Sequence, residues 1–237
     1  MKKFILSMVV ILPFYAFADG HNLAGPGEGS FTTVMVQAPD VSAYIKHLKN
    51  NPELFRGFDA AAAGVCVTIT GQDYNGEMFV WSAHSTVTGA MEETTAYNLD
   101  EVSKDLAKLR TLKYRVAWKP LKPFVLSPGF ERVTRVKIKP ENVPAYIAAA
   151  TKLEAAIRKA GHDFNMGIFQ PLGGGVHETG TFLLPGVSPN SSEAGSLIDE
   201  YFAGAEWGQQ YLKASSLIDE VVRDTYESCQ LFYSTEQ

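Results

Sequence analysis

Cysteine is scarce in this chain: only Cys66 and Cys229 occur in 237 residues. That count excludes a disulfide-dense scaffold and a cysteine-rich metal site. Positive charge is the minority charge. Twenty-one lysines and arginines face twenty-six aspartates and glutamates, a net −5, which argues against bulk nucleic-acid binding. The motifs of settled chemistry are missing too: G-x-S-x-G, H-E-x-x-H, C-x-x-C and G-x-x-x-x-G-K-[ST] do not occur. What is present is an ordinary globular composition, 46% hydrophobic, 11% aromatic and 20% charged. The chain is long enough to bury a real core, as one large domain or two small ones.

The long apolar run lies at the start. Lys2 and Lys3 precede residues 4–17, nearly all apolar and interrupted by Ser7 and Pro13, and Ala16-Phe17-Ala18 is an A-x-A cleavage site. This is the three-part pattern of a secretory signal. The run is too short for a membrane span, and no second one follows. Cleavage after Ala18 leaves 219 residues at net −7. The expected location is the periplasm or the exterior, with no membrane span after cleavage. Residues 19–29 then read as a flexible leader. Export exposes Cys66 and Cys229 to an oxidising compartment, where they form a disulfide or remain two buried small hydrophobes. Cleavage also creates the terminus Asp19-Gly20-His21. Its amine, two backbone amides and imidazole make a square-planar nitrogen set suited to Cu(II) or Ni(II).

The rest of the chain repeats itself. Val41-Ser42-Ala43-Tyr44-Ile45 and Val143-Pro144-Ala145-Tyr146-Ile147 share a V-[SP]-A-Y-I core, 102 residues apart. Each follows a strand-like run and opens an amphipathic helix, with Val41, Tyr44, Ile45 and Leu48 on one face and Val143, Tyr146, Ile147 and Ala150 on the other copy's. Asp40 and Asn142 are the expected N-caps. Strands are expected next at 64–70 and 77–83, a helix at 88–109 and a strand at 112–118. The second copy offers strands at 164–170 and 177–184, helix over most of 191–222 with a break near Gly204 or Gly208, and a strand at 225–233. The expected division is 30–118, a proline-punctuated linker at 119–129, and 130–234. Each unit reads β-α-β-β-α-β.

That element order is the ferredoxin-like unit. Two in tandem resemble the dimeric α/β-barrel superfamily, so the expected fold is α+β, with two four-stranded sheets facing each other as a pseudo-dimeric barrel. The resemblance covers about residues 30–233. The superfamily includes antibiotic-biosynthesis-type monooxygenases, haem-degrading relatives, chlorite-dismutase-like haem proteins and muconolactone-isomerase-like enzymes. The segment 202–215, with Glu206, Trp207 and Tyr211, resembles the second-helix segment of monooxygenase-type members. Barrel closure of this type sets strand 2 of one unit beside strand 4 of the other, which makes Cys66 and Cys229 possible neighbours. Strand parity leaves open whether they face the same side.

Chemistry-bearing candidates are few. His84 ends a strand where a barrel mouth is expected, as a general base or a haem ligand; the alternative is a histidine in a strand-to-helix turn. Residues 104–139 hold eleven basic and two acidic residues, +9 in a mature chain whose remainder carries −16. Arg115, Arg135 and Lys137 alternate with apolar neighbours, so the basic side is expected to face the barrel interior or rim and concentrate anions; the alternative is a solvated strand face paired with acids. The resulting expectation is a small anionic, partly hydrophobic ligand inside the barrel, neutralised by Arg115, Arg135 and Lys137 and walled by Trp81, Tyr114 and Trp118. A cofactor-independent oxygenase or isomerase using His84 is the second reading, copper or nickel handling the third, and a protein-interaction module without a pocket function the fourth. No cofactor is required by the residues, and the chain is a monomer or a homo-oligomer.

Overall fold

The computed structural model describes residues 29–98 and 102–235. The signal segment, most of the leader and the Asp19-Gly20-His21 terminus lie outside the described residues.

Runs of alternating β-branched and aromatic residues form the strands: β1 (Ser30–Gln37), β2 (Ala62–Thr70), β3 (Glu77–His84), β4 (Thr111–Pro120), β5 (Gly129–Lys137), β6 (Asn165–Met166), β7 (Phe169–Leu172), β8 (Phe182–Ser188) and β9 (Glu220–Ser234). Between them lie α1 (Val41–Lys49), α2 (Glu53–Arg56), α3 (Val87–Ala96), α4 (Lys104–Leu109), α5 (Val143–Lys159), α6 (Ser191–Phe202) and α7 (Gly208–Ser215). Asp40 caps α1 by accepting from the Ala43 amide at 2.9 Å, and Asn190 caps α6 in the same way. Asn142 does not cap α5. It ends a 3₁₀ turn over Pro140–Asn142 in helical conformation, and its side chain makes no cap bond.

Two expected elements are split, and a third breaks where a break was expected. The helix over 88–109 is α3 and α4, because Tyr97 turns extended and Ser103 caps a fresh helix through the Leu106 amide. The helix over 191–222 breaks at Gly204, whose φ of 89° favours glycine, and gives way to β9 at Glu220. The strand over 164–170 is interrupted at Gly167, where a Cβ would lie 2.2 Å from the Phe169 ring. Residues 175–177 form a 3₁₀ turn, so β8 starts only at Phe182.

The strands pair antiparallel in the order β5-β9-β2-β3-β1-β4-β7-β8, and β8 pairs again with β5. Eight strands therefore close into a barrel, with β6 an extra short pairing on β8. The fold is α+β, a closed antiparallel barrel with helices outside. β1 lies between β3 and β4, and β5 lies between β8 and β9. The two halves of the chain meet at β2–β9 and β4–β7. At the first seam Cys66 is directly opposite Cys229, and a disulfide joins them across 163 residues.

Closure creates three apolar layers. Phe31, Cys66, Trp81, Trp118, Val133, Phe169, Leu183 and Cys229 form one cluster drawing on all eight barrel strands, which is the interior. A second layer packs α1, α2 and α4 on the outer face of the first half. A third packs α5, α6 and α7 on that of the second half. No helix among the described residues is long and apolar enough to cross a membrane.

Candidate functional site

The barrel interior is filled by its own side chains, which corrects the expectation of a ligand there. Trp81 and Trp118 are buried in the interior cluster, and the Trp118 indole N–H donates to Thr33 Oγ1 at 3.0 Å. The void between Phe31, Phe124 and Phe169 measures about 10 Å³. At the polar end Arg135 points inward, but its Nε donates to both oxygens of Glu178 at 2.9 Å. Glu178 is fully buried on the loop before β8, and Tyr114 Oη donates to it at 2.7 Å. Burial pushes the Tyr114 phenol well above its ordinary range. An arginine held by a buried carboxylate has no charge left over for an anion.

The other two basic candidates lie away from the buried interior. Arg115 is on the outer side of β4, its guanidinium 5.3 Å from the centre of the Tyr97 ring. Lys137 is exposed and pairs with Glu220 at 2.7 Å. Arg132 and Lys139 pair with Asp224 and Asp219. Much of the basic run is thus neutralised pairwise, which is the reading of a strand face matched to acidic neighbours. Parity misled at Arg115 because both faces of a barrel strand are apolar: Val116 packs into the interior, whereas Val136 packs under helices.

His84 is not at a mouth. It is 2% exposed, on the outer face of β3 beneath α3. Its Nε2 lies 2.6 Å from Oε2 of Glu93, which also accepts from Thr32 Oγ1 at 2.8 Å. It has an acid partner but no space for a substrate or a haem, so the haem expectation at His84 is not met.

The sizeable cavity, about 850 Å³, lies elsewhere, between the outer face of the second half and its helices. Its floor is β5, β8 and β9, with Arg132, Thr134, Gly186 and Tyr226. Its roof is α5, α6 and α7, with Tyr146, Leu197, Tyr201 and Tyr211, and Trp207 lies between α6 and α7. Gly186 contributes no side chain to the floor, and a Cβ there would lie 3.1 Å from the Phe164 ring. Arg132 stands at the opening. Its Nε and Nη2 donate to the two oxygens of Asp224 at 2.9 and 2.6 Å, leaving Nη1 uncommitted. Those bonds hold the guanidinium firmly protonated. Burial raises the Tyr226 phenol beside it. Among the described residues no histidine or cysteine lines the cavity, and these are the commonest haem ligands.

This site was only partly marked in the sequence. Tyr146 belongs to the repeated V-[SP]-A-Y-I core, and Trp207 and Tyr211 to the segment that resembles monooxygenase-type proteins. Arg132 was one of eleven basic residues with nothing to distinguish it.

Comparison of the fold gives three useful neighbours. A proposed monooxygenase from Lactobacillus acidophilus NCFM superposes with TM-score 0.58 at 11% identity, over 86% of this chain and 95% of that one. An anthrone oxidase-like protein gives 0.55 at 8%, over 87% and 96%. A mutant chlorite dismutase from Candidatus Nitrospira defluvii gives 0.53 at 12%, over 87% and 94%. No family model and no curated protein sequence matches the chain. The class defined is therefore one of fold: an α/β barrel related to those of these proteins.

Proposed function

We propose that this chain is an exported protein that binds a bulky, mostly apolar aromatic molecule in the cavity of its second half, with Arg132 meeting a polar or anionic group on it. The observation that carries this reading is the cavity itself, large enough for a drug-sized ligand, walled by aromatic and aliphatic side chains, and bearing one arginine with a free nitrogen. The architecture supports reading the barrel as two ferredoxin-like units in tandem, since each half has its first strand flanked by its third and fourth. The lysine start, apolar run and A-x-A site support export, and the disulfide suits an oxidising compartment.

Trp207 in the cavity wall is a built-in probe. 1-Naphthoate titrated into the protein should quench Trp207 fluorescence saturably, and Trp207→Phe should remove that signal. Arg132→Gln should weaken naphthoate binding roughly tenfold while leaving neutral naphthalene unchanged, the difference expected for one charge-assisted hydrogen bond. Quenching that persists in Trp207→Phe would place the ligand elsewhere and sink the proposal.

The neighbours favour a second reading, an oxygenase acting in the same cavity on an aromatic substrate. The acidic and phenolic groups lining it are Tyr146, Tyr201, Tyr211, Tyr226, Asp219, Glu220 and Asp224, whereas His84 lies in the other half. Anthrone incubated with the protein in air separates the two readings. Protein-dependent oxygen uptake with a quinone product indicates the enzyme, and saturable binding without turnover indicates the binding protein.

A further inference from the structure

On the inner wall of the barrel β5, β9 and β2 run side by side. Across β5 and β9 Glu131 is directly opposite Glu227. Across β9 and β2 Cys229 is directly opposite Cys66. Glu227 and Cys229 are two residues apart on β9, so both point inward. Three adjacent strands thus bring two sulfurs and two carboxyl groups together, each with a ligand atom within 4.8 Å of all the others. All four residues are buried, at 3% for Cys66, 6% for Cys229, 9% for Glu131 and 3% for Glu227.

Ordinary packing does not explain the pair of acids. Two carboxylates directly opposite on a sheet repel each other and burial makes the charged forms costlier still, so without a cation the pair retains a proton. The two arginines that act on Glu227 are already engaged, Arg135 with Glu178 and Arg223 with Glu77. Thr225, two residues before Glu227 on the same face, lies 3.0 Å from Oε1 and fixes the carboxylate. The other oxygen, Oε2, is buried with no hydrogen-bond partner. An oriented, unpartnered carboxylate oxygen beside two sulfurs is what a metal site looks like before the metal arrives.

We propose that Cys66, Cys229, Glu131 and Glu227 bind one divalent cation of borderline softness, such as Zn²⁺, when the disulfide is reduced. Two thiolates and two carboxylate oxygens are a four-ligand set of the kind zinc takes tetrahedrally. The redox step balances with a dithiol reductant. The reductant supplies two electrons and two protons, the Cys66–Cys229 bond breaks into two thiols, and a disulfide forms in the reductant. The cation then displaces the thiol protons, and any carboxyl proton, to solvent. The disulfide form of the reductant reverses this, taking up two electrons and two protons as it returns to the dithiol while the Cys66–Cys229 bond re-forms and the ion is expelled. The seam between the halves is then closed in both states, by a covalent bond in one and by a cation bridging β2, β9 and β5 in the other.

Cobalt(II) gives a direct test. The full protein is reduced with a phosphine in denaturant, refolded without air, checked for two free thiols, and titrated with Co²⁺. A thiolate-to-cobalt charge-transfer band should saturate at one equivalent, be bleached by Zn²⁺, and be absent from the disulfide form. Glu131→Gln and Glu227→Gln should each weaken binding by at least tenfold without abolishing the band. Thr225→Val keeps all four ligands and should weaken it by about tenfold. A chain with two free thiols that takes up no cobalt overturns the proposal. So does a band of unchanged affinity in both glutamine variants, since it would come from two loose thiolates.

Discussion

The two halves of this chain share a strand order and a helix-opening motif, yet one is solid where the other is hollow. In the first half Tyr44, Phe55, Met78 and Val80, joined by Tyr233 from β9, fill the layer between sheet and helices. In the second half the corresponding layer encloses about 850 Å³. The sheet registers show where they diverge. Ser30 is opposite His84 in one, and Arg132 is opposite Gly186 in the other. Both pairs are offset by the same 102 residues that separate Tyr44 from Tyr146. An imidazole tied to Glu93 occupies the position that Gly186 leaves without a side chain, and an arginine stands where the first half has a serine. The break between α6 and α7 at Gly204 also lets the roof of the second half bend away, whereas α3 lies flat on β1 and β3. The layer outside the barrel is thus filled in one half and open in the other, while the barrel interior is packed.

The largest effect expected concerns what holds the halves together. Replacing Cys66 and Cys229 by serine removes a bond that closes a very long loop in the unfolded chain, and should cost about 2–5 kcal/mol in a guanidinium melt. A chelator in the buffer keeps any divalent cation from bridging the seam in place of the bond. Next comes truncation within the two layers. Met78→Ala, at a position with no exposure, should cost about 2–5 kcal/mol because the solid half cannot collapse around the gap. Ile198→Ala, at the exposed edge of the cavity, should cost less than about 1 kcal/mol. Equal losses at the two sites would show that both layers are packed alike.

The comparison also explains what was legible beforehand. The strand order, the repeated helix start and the meeting of Cys66 with Cys229 follow from patterns a few residues long combined with a topology. The side on which each strand residue sits does not follow. A strand in a closed barrel with helices outside is apolar on both faces, so alternation marks two sides without naming them. Arg115 and Arg135 illustrate this: one faces out and the other in, although both alternate with valine. The cavity was hidden for a different reason. It lies between the sheet and α5, α6 and α7, over the missing side chain at Gly186, which nothing distinguishes among twenty glycines; the break at Gly204 was legible, but a helix break does not by itself reveal a cavity.

The hollow half also differs in the protonation it imposes. Burial, with Glu227 opposite, pushes the Glu131 carboxyl up to about 8. A carboxyl raised in the folded state binds protons that the unfolded chain has released. Its contribution is therefore fully present below about pH 4.5 and lost as pH rises through 8. Melts of the disulfide form should show stability falling between pH 5 and 8, and Glu131→Gln should flatten that slope. A slope that survives the substitution would assign it to other groups.

The smallest effects test the divergent position itself. His84→Ala leaves the Glu93 carboxylate buried without its imidazole partner, at a cost of about 1–3 kcal/mol, and should leave naphthoate binding untouched because the histidine lies in the filled half. Gly186→Leu places a side chain on the cavity floor, against the Phe164 ring tip and beneath the aromatic roof. Phe164 must yield by a few tenths of an ångström, so stability should change little, but the volume available to a ligand shrinks and naphthoate affinity should fall by at least tenfold. If His84→Ala weakened the ligand as much as Gly186→Leu, the division of labour between the halves would be wrong. The two sites would then have to be coupled through the barrel that separates them.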